Sequence, residues 1–135
     1  MRRVNYTATL PFVLLLFLFL MCHSSSAKTI QTLEKELEQA LEGNSPQLKS
    51  KALLLMRATQ KHTFSKSTYL VNTALGISYK KACMYSLAQE HFLKANVIAQ
   101  KLGDKSKIGA SYINIATTFQ LRGLHQKALG YLKSA

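Results

Sequence analysis

Beyond residue 27, the histidines and cysteine that could ligate a metal or attack an electrophile are His62, His91, His125 and Cys83. The histidines stand far apart in sequence, and none has the short spacing to another or to Cys83 that a protein metal site uses. There is no His-Glu-x-x-His, no Gly-x-Ser-x-Gly and no phosphate-cradling glycine loop. The reading is therefore of a non-enzyme with no metal and no cofactor. His125 is expected to pack, and the ring set Tyr79, Phe92, Tyr112 and Phe119 to build core. Lys80 and Lys81 could engage an acidic partner, although lysines at a helix C-terminus also serve the helix dipole alone.

The elements that must position these residues read as helices throughout. Helix-stop and helix-start residues recur at hairpin intervals, and no alternating strand pattern of useful length occurs. A first helix begins near Thr29 and ends at Gly43-Asn44. Ser45-Pro46 supplies an N-cap and a first-turn proline for a second, running to about His62. Ser65 or Ser67 starts a third, ending near Lys81. Ser86 and Gln89 have the spacing of a capping box for a fourth, closed by Gly103. Asp104 caps a fifth, Gly123 closes it, and a sixth runs from about Gln126 to Ala135. Cys83 falls in a hairpin turn.

The pattern Leu75-Gly76, Tyr79, Tyr85, Ala88, Phe92, Ala95 returns as Ile115-Ala116, Phe119, His125, Ala128, Leu132, Ala135, 40 residues later at every position. A fixed period of this size marks stacked helical hairpins. Gly76 and Ala116 are small where two helices cross, Ala88 and Ala128 face them, and Phe92 and Leu132 fill the space beside them. A further step back by the same interval reaches Leu48, Ala52 and Leu55, but puts Glu36 where a small residue belongs.

This layout resembles the tetratricopeptide repeat. The last unit carries Tyr112, Ile115, Ala116, Phe119, Gly123, Ala128, Leu132 and Ala135; the one before departs at Asn72 and Cys83, where a bulky residue and a turn glycine are usual. The interval exceeds the family's typical length of about 34 residues. It is similar to an extended subclass found in peptide-binding scaffolds and in the N-terminal regions of exported bacterial sensor proteins. The resemblance implies an all-α fold of antiparallel hairpins stacked as a short solenoid, preceded by a signal-peptide helix. The organisation is 1–27 signal peptide, 28–64 divergent capping hairpin, 65–103 repeat, and 104–135 repeat.

The leader reading rests on Arg2 and Arg3, the apolar run Leu10–Met21 and the small residues Ser25 and Ala27, the shape of a secretory signal cut after Ala27. The run is short for a bilayer span, which takes about 20 residues. Bulky Leu20 and Met21 argue against lipidation at Cys22. Export implies the periplasm or extracellular space, with an uncleaved membrane anchor as the alternative. Residues 28–135 keep one cysteine, Cys83, so no internal disulfide can form. The net charge of +12 is uneven: Glu34, Glu36, Glu38 and Glu42 lie early, and only Glu90 and Asp104 follow. A basic surface suits an acidic partner, and no aromatic-basic stretch for nucleic acid is present.

In this family ligands lie along the concave face formed by the first helix of each hairpin. The resemblance places Thr73, Ile77, Lys80 and Lys81 there in one unit, and Ile113, Asn114, Thr117 and Gln120 in the next. Asn114 resembles the asparagines that hold peptide backbone, but Ala74 precedes it at the matching position, so no asparagine ladder exists. The implied function is protein or peptide binding without catalysis. The alternative is the sensory part of a bacterial signalling protein whose kinase or DNA-binding region lies beyond residue 135. Arrays end in a polar-faced helix, so Ala128, Leu132 and Ala135 predict an uncapped last hairpin, open to self-association or followed by more chain.

Overall fold

The computed structural model describes residues 29–59 and 64–135, and all regular structure in them is helical. The residues read as a leader with a cut after Ala27, together with Cys22 and His62, lie outside the described residues. Among the described residues six helices follow in order: α1 over residues 29–42, α2 Leu48–Ala58, α3 Lys66–Lys81, α4 Tyr85–Leu102, α5 Lys105–Leu121 and α6 His125–Leu132. From α2 onward each helix packs on the next in the chain. No described helix is long and apolar enough to cross a membrane.

Helix ends follow one device used four times. Asn44, Cys83, Gly103 and Gly123 adopt the left-handed conformation, with φ of 52°, 58°, 67° and 74°. At each, the following N–H reaches back to the helix: Ser45 to the carbonyl of Ala40, Met84 to Tyr79, Asp104 to Ala99 and Leu124 to Phe119. This is a Schellman closure, which satisfies carbonyls that the helix would otherwise strand. Asn44, not Gly43, takes the left-handed place in the first turn. Cys83 occupies the place that Gly123 holds in the next hairpin, although it has a β-carbon that this conformation disfavours.

The helix starts are less uniform. Ser65 accepts from the Thr68 N–H while Thr68 returns its hydroxyl oxygen to the Ser65 N–H, a reciprocal cap. Asp104 accepts from the Lys107 N–H at 3.0 Å and also pairs with the Lys107 ammonium. These contacts hold its carboxyl below the usual carboxylate range. Ser45 accepts from the Gln47 N–H, but the regular helix begins only at Leu48. The second helix ends at Ala58, short of His62, and the sixth at Leu132.

The capping box expected at Ser86 and Gln89 does not form. The closure at Cys83 delivers the chain so that α4 starts at Tyr85, with Met84 as a cap residue lacking a side-chain bond. Ser86 is therefore already inside the first turn, and Gln89 accepts from Arg122 Nη1 at 2.5 Å instead. His125 is a second correction: it is exposed at the start of α6, because that helix packs through Ala128 and Tyr131.

The core forms two clusters that share Ile77 and Tyr79 at their border. One gathers Leu37, Leu48, Ala52 and Leu55 with Tyr69, Val71, Leu75 and Ala99. The other joins Ala88 and Phe92 to Ile115, Ala116, Phe119 and Ala128. The positions reached by stepping back from α4, namely Leu48, Ala52 and Leu55, are all buried. The mismatch at Glu36 is a register effect. Counted from the left-handed turn residue, Glu36 matches Leu75 and Ile115, while buried Leu37 matches Gly76 and Ala116. The first hairpin has one residue fewer from its left-handed turn to the matching buried position of its second helix (Asn44 to Leu48, against Cys83 to Ala88 and Gly123 to Ala128), so a constant step cannot align both halves.

Candidate partner-binding face

α3 and α5 carry the side chains that the repeat pattern assigns to ligand contact. Thr73, Ile77 and Lys80 on α3 are half-buried, and Lys81 is exposed. Ile77 is committed to packing between the two clusters. Lys81 Nζ donates to the Asn44 carbonyl at 3.2 Å, which ties α3 to the preceding turn. Lys80 Nζ lies 6.0 Å from the centre of the Phe92 ring. On α5, Ile113 and Gln120 are exposed, and Asn114 and Thr117 half-buried. Thr117 donates its hydroxyl back to the Ile113 carbonyl. Asn114 makes no side-chain hydrogen bond with another described residue, and its amide has both donor and acceptor to offer. Thr73, Ile77 and Lys80 thus match Ile113, Thr117 and Gln120 one hairpin apart, whereas Leu121 and Ala74 stand at the places matching Lys81 and Asn114, and ties to other hairpins are seen only in the α3 set.

A second recurring arrangement was not legible as a site in the sequence. Tyr79 stacks on His91, with ring centres 5.4 Å apart and planes 14° apart. Phe119 stacks on Tyr131 at 5.4 Å and 18°. The pairs are 40 residues apart and close the two later hairpins in the same way. In the first pair His91 Nδ1 lies 3.1 Å from Asn72 Oδ1. Asn72 Nδ2 donates to the Thr68 carbonyl, so Oδ1 is left as acceptor and His91 Nδ1–H as donor. In the second pair Tyr112 takes the place of Asn72 and packs against Tyr131 at 6.1 Å. The departure at Asn72 is therefore compensated across the hairpin: a polar pair, Asn72 with His91, stands where two tyrosines stand next. Burial pushes the His91 imidazole below its ordinary value, and the Lys94 charge adds to this while Glu90 opposes it. The signal that could have revealed the pair is the simultaneous change at both positions under the same 40-residue step.

Grooves flank both pairs. One of about 470 Å³ runs beside Asn72 and is lined by Phe64, Leu93, Val97 and Ile98, with Glu90 and Lys94 at its polar side. Another of about 500 Å³ lies beside Tyr112, Phe119 and Tyr131, with Gly130 and Ser134 at the positions of Glu90 and Lys94. Glu90 and Lys94 bond to each other at 2.6 Å, one turn apart on α4. Neither groove converges several unpaired polar groups on one point, as a small-molecule site would require. No group of three or more His, Cys, Asp or Glu side chains among the described residues could hold a metal ion. Cys83 is exposed in its turn and forms no disulfide.

Comparison with protein-family models, with curated proteins and with solved structures finds no match to this chain. The functional reading therefore rests on the recurrence within the chain itself.

Proposed function

We propose that this chain is a partner-binding module of the tetratricopeptide-repeat type, exported by its N-terminal segment, which binds a protein or peptide along the first helices of its hairpins and performs no catalysis. One observation carries the reading: three hairpins close with the same left-handed turn, at Asn44, Cys83 and Gly123, spaced 39 and 40 residues apart. Hairpins built to one plan bury their apolar faces on one another and leave a series of equivalent side chains facing outward. The basic balance of the described surface favours an acidic ligand. Four of the six acids, Glu36, Glu38, Glu90 and Asp104, are already paired with lysines of the chain itself.

The test is selection of binders from a random peptide library against the folded chain, followed by affinity measurement on variants. Asn114→Ala and Gln120→Ala are expected to weaken the selected peptides at least tenfold. Leu93→Ser, on the outer side of α4, is expected to leave them unchanged. Peptides that tolerate both α5 changes but not Leu93→Ser would overturn the assignment of the face.

A further inference from the structure

Consecutive helices run in opposite directions, so the three tight turns, at Asn44, Cys83 and Gly123, fall at one end of the helix series. Contacts join them there. Lys81 Nζ reaches the Asn44 carbonyl of the first turn, and Arg122 of the third bonds Gln89 near the start of α4. Arg122 also closes a hollow of about 370 Å³ with Cys83, Met84, Tyr85 and Leu87. Four large apolar side chains stand out along this edge: Met84 is 48% exposed, Leu87 37%, Leu121 50% and Leu124 36%. Met84 and Leu124 are the same position 40 residues apart, each directly after its left-handed residue. Met84 has a hairpin on either side and is still half exposed, so stacking of hairpins does not cover the edge. The backbone of both tips is satisfied from within: the N–H groups of residues 82–84 and 122–124 all bond to carbonyls of the preceding helix. Such a tip can leave water without stranding those donors.

We propose that this turn edge binds the surface of an anionic phospholipid bilayer, with Met84 and Leu124 entering the headgroup region and Lys81, Arg122 and Lys127 facing the lipid phosphates. Charge and shape carry the choice. Past residue 42 the chain has two acids: Asp104, at the opposite end of the helices, and Glu90, which is bonded to Lys94. The edge carries Lys49, Lys81, Arg122 and Lys127, against Glu42 at the end of α1. Lys49 and Lys127 lie over the rings of Tyr79 and Phe119, which belong to the last turns of α3 and α5, so their ammonium groups are at this end. Lys81 and Arg122 bond to neutral partners, the Asn44 carbonyl and the Gln89 amide, so neither charge is cancelled. Anionic lipid attracts clustered lysine and arginine, and apolar side chains beside them add burial. A row of convex turn tips meets an extended surface at several points together, whereas an acidic protein would need a separate recess for each. Lys81, which the repeat pattern counts with the ligand face, belongs to this edge by its bond to Asn44. Asn114 and Thr117 take no part in it, so this proposal and the peptide-binding reading fail separately.

The experiment uses the 135-residue chain with Cys22→Ser, which leaves Cys83 as its one thiol. An environment-sensitive fluorophore on Cys83 sits at the centre of the edge, so its signal reports this edge and not the apolar N-terminal run. Vesicles of phosphatidylglycerol with phosphatidylcholine are expected to shift its emission to the blue and to bring it within reach of quenchers carried on the lipid. Pure phosphatidylcholine vesicles should need about tenfold more lipid for half the shift, and added salt should weaken the anionic response. Met84→Glu with Leu124→Glu is expected to raise the lipid needed about tenfold, and so is Lys81→Gln with Lys127→Gln, which keeps the apolar tips. All four positions are exposed, so unchanged circular dichroism and melting establish that the variants fold. Asn114→Ala should not move the signal. The same label placed by Ser106→Cys in a Cys22→Ser, Cys83→Ser chain, at the opposite end of the helices, should stay in water. An unshifted label on Cys83 overturns the proposal. So does an equal shift at residue 106, an equal response to neutral vesicles, or a response that both folded variants leave unchanged. A shift produced by a soluble glutamate-rich peptide and not by vesicles would also overturn it and assign the edge to an acidic protein.

Discussion

Tyr79 and His91 face each other as stacked rings across the hairpin of α3 and α4, 5.4 Å apart, and the imidazole is held there by Asn72, two turns before Tyr79 on α3. The next hairpin repeats the stack with Phe119 and Tyr131, in which no imidazole takes part. One ring of one pair therefore gives this fold a pH sensitivity that its twin lacks.

Burial lowers the His91 value from its ordinary 6.5, so the folded state prefers the neutral ring more than the unfolded chain does. Between the two values the unfolded chain binds more protons, and stability rises with pH. The contribution is complete above about pH 6.5 and is lost as pH falls through the lowered value. Lys94 and Glu90 flank the ring on α4, Asn72 and Tyr79 face it from α3, and Lys49 of α2 lies over Tyr79 at 4.7 Å. Urea denaturation is expected to show stability falling as pH is lowered below about 6.5. His91→Phe should flatten that segment. A wild-type profile that is already flat there would remove the role given to burial.

The polar and aromatic versions of this corner should be exchangeable only as pairs. Asn72→Tyr or His91→Tyr alone leaves a mismatched partner, and each is expected to cost about 1–2 kcal/mol. The double change recreates the Tyr112–Tyr131 arrangement and should recover about 1 kcal/mol of the summed loss. Chemical denaturation at pH 7.5 measures the cycle. Strict additivity would show that the two positions do not compensate each other.

A β-carbon added at Gly76 would lie 2.5 Å from Phe92 Cε1 and 2.6 Å from Cδ1. The ring is fully buried and cannot move aside freely. Gly76→Ala is expected to destabilise by about 1–3 kcal/mol through overpacking. The following hairpin has Ala116 and Leu132 at these two sequence positions, so Gly76→Ala with Phe92→Leu imitates a combination the chain already uses. The double variant should lie closer to wild type than the sum of the singles predicts. A double variant as unstable as that sum would mean that the clash is relieved elsewhere.

Cys83 holds a left-handed conformation at φ 58° in a place that Gly123 fills in the next unit. Its β-carbon costs about 1–2 kcal/mol there, partly offset by the greater freedom glycine has when unfolded. Cys83→Gly is expected to stabilise by about 0.5–1 kcal/mol, and Gly123→Ala to destabilise by about 1 kcal/mol. Thermal melts under reducing conditions compare the two. A loss of stability in Cys83→Gly would mean that the thiol makes a contact worth more than the strain.

The amino-acid order by itself determined the all-helical character, the 40-residue recurrence and most of the breaks. These follow from local chemistry: glycine, asparagine and proline at turns, apolar residues at helical spacing, and Asp104 and Ser65 at helix starts. The order also marked the small–large alternation at Gly76, Ala88 and Phe92. Tertiary structure decided what spacing could not express. The first helix matches the others only when counted from its turn, because Leu48 lies one residue nearer that turn than Ala88 and Ala128 lie to theirs, so Glu36 is a surface residue and Leu37 a core one. Asn72 proved to be half of a pair because its partner sits on the other helix, 19 residues away. Ser86 lost its capping role to the backbone closure at Cys83. Of the eight ligand-face candidates, Ile77 and Lys81 are tied to neighbouring hairpins, while Asn114 and Gln120 remain available. A helical period fixes which side of its own helix a residue occupies, but whether that side meets solvent or another helix depends on packing between elements, which no local pattern encodes.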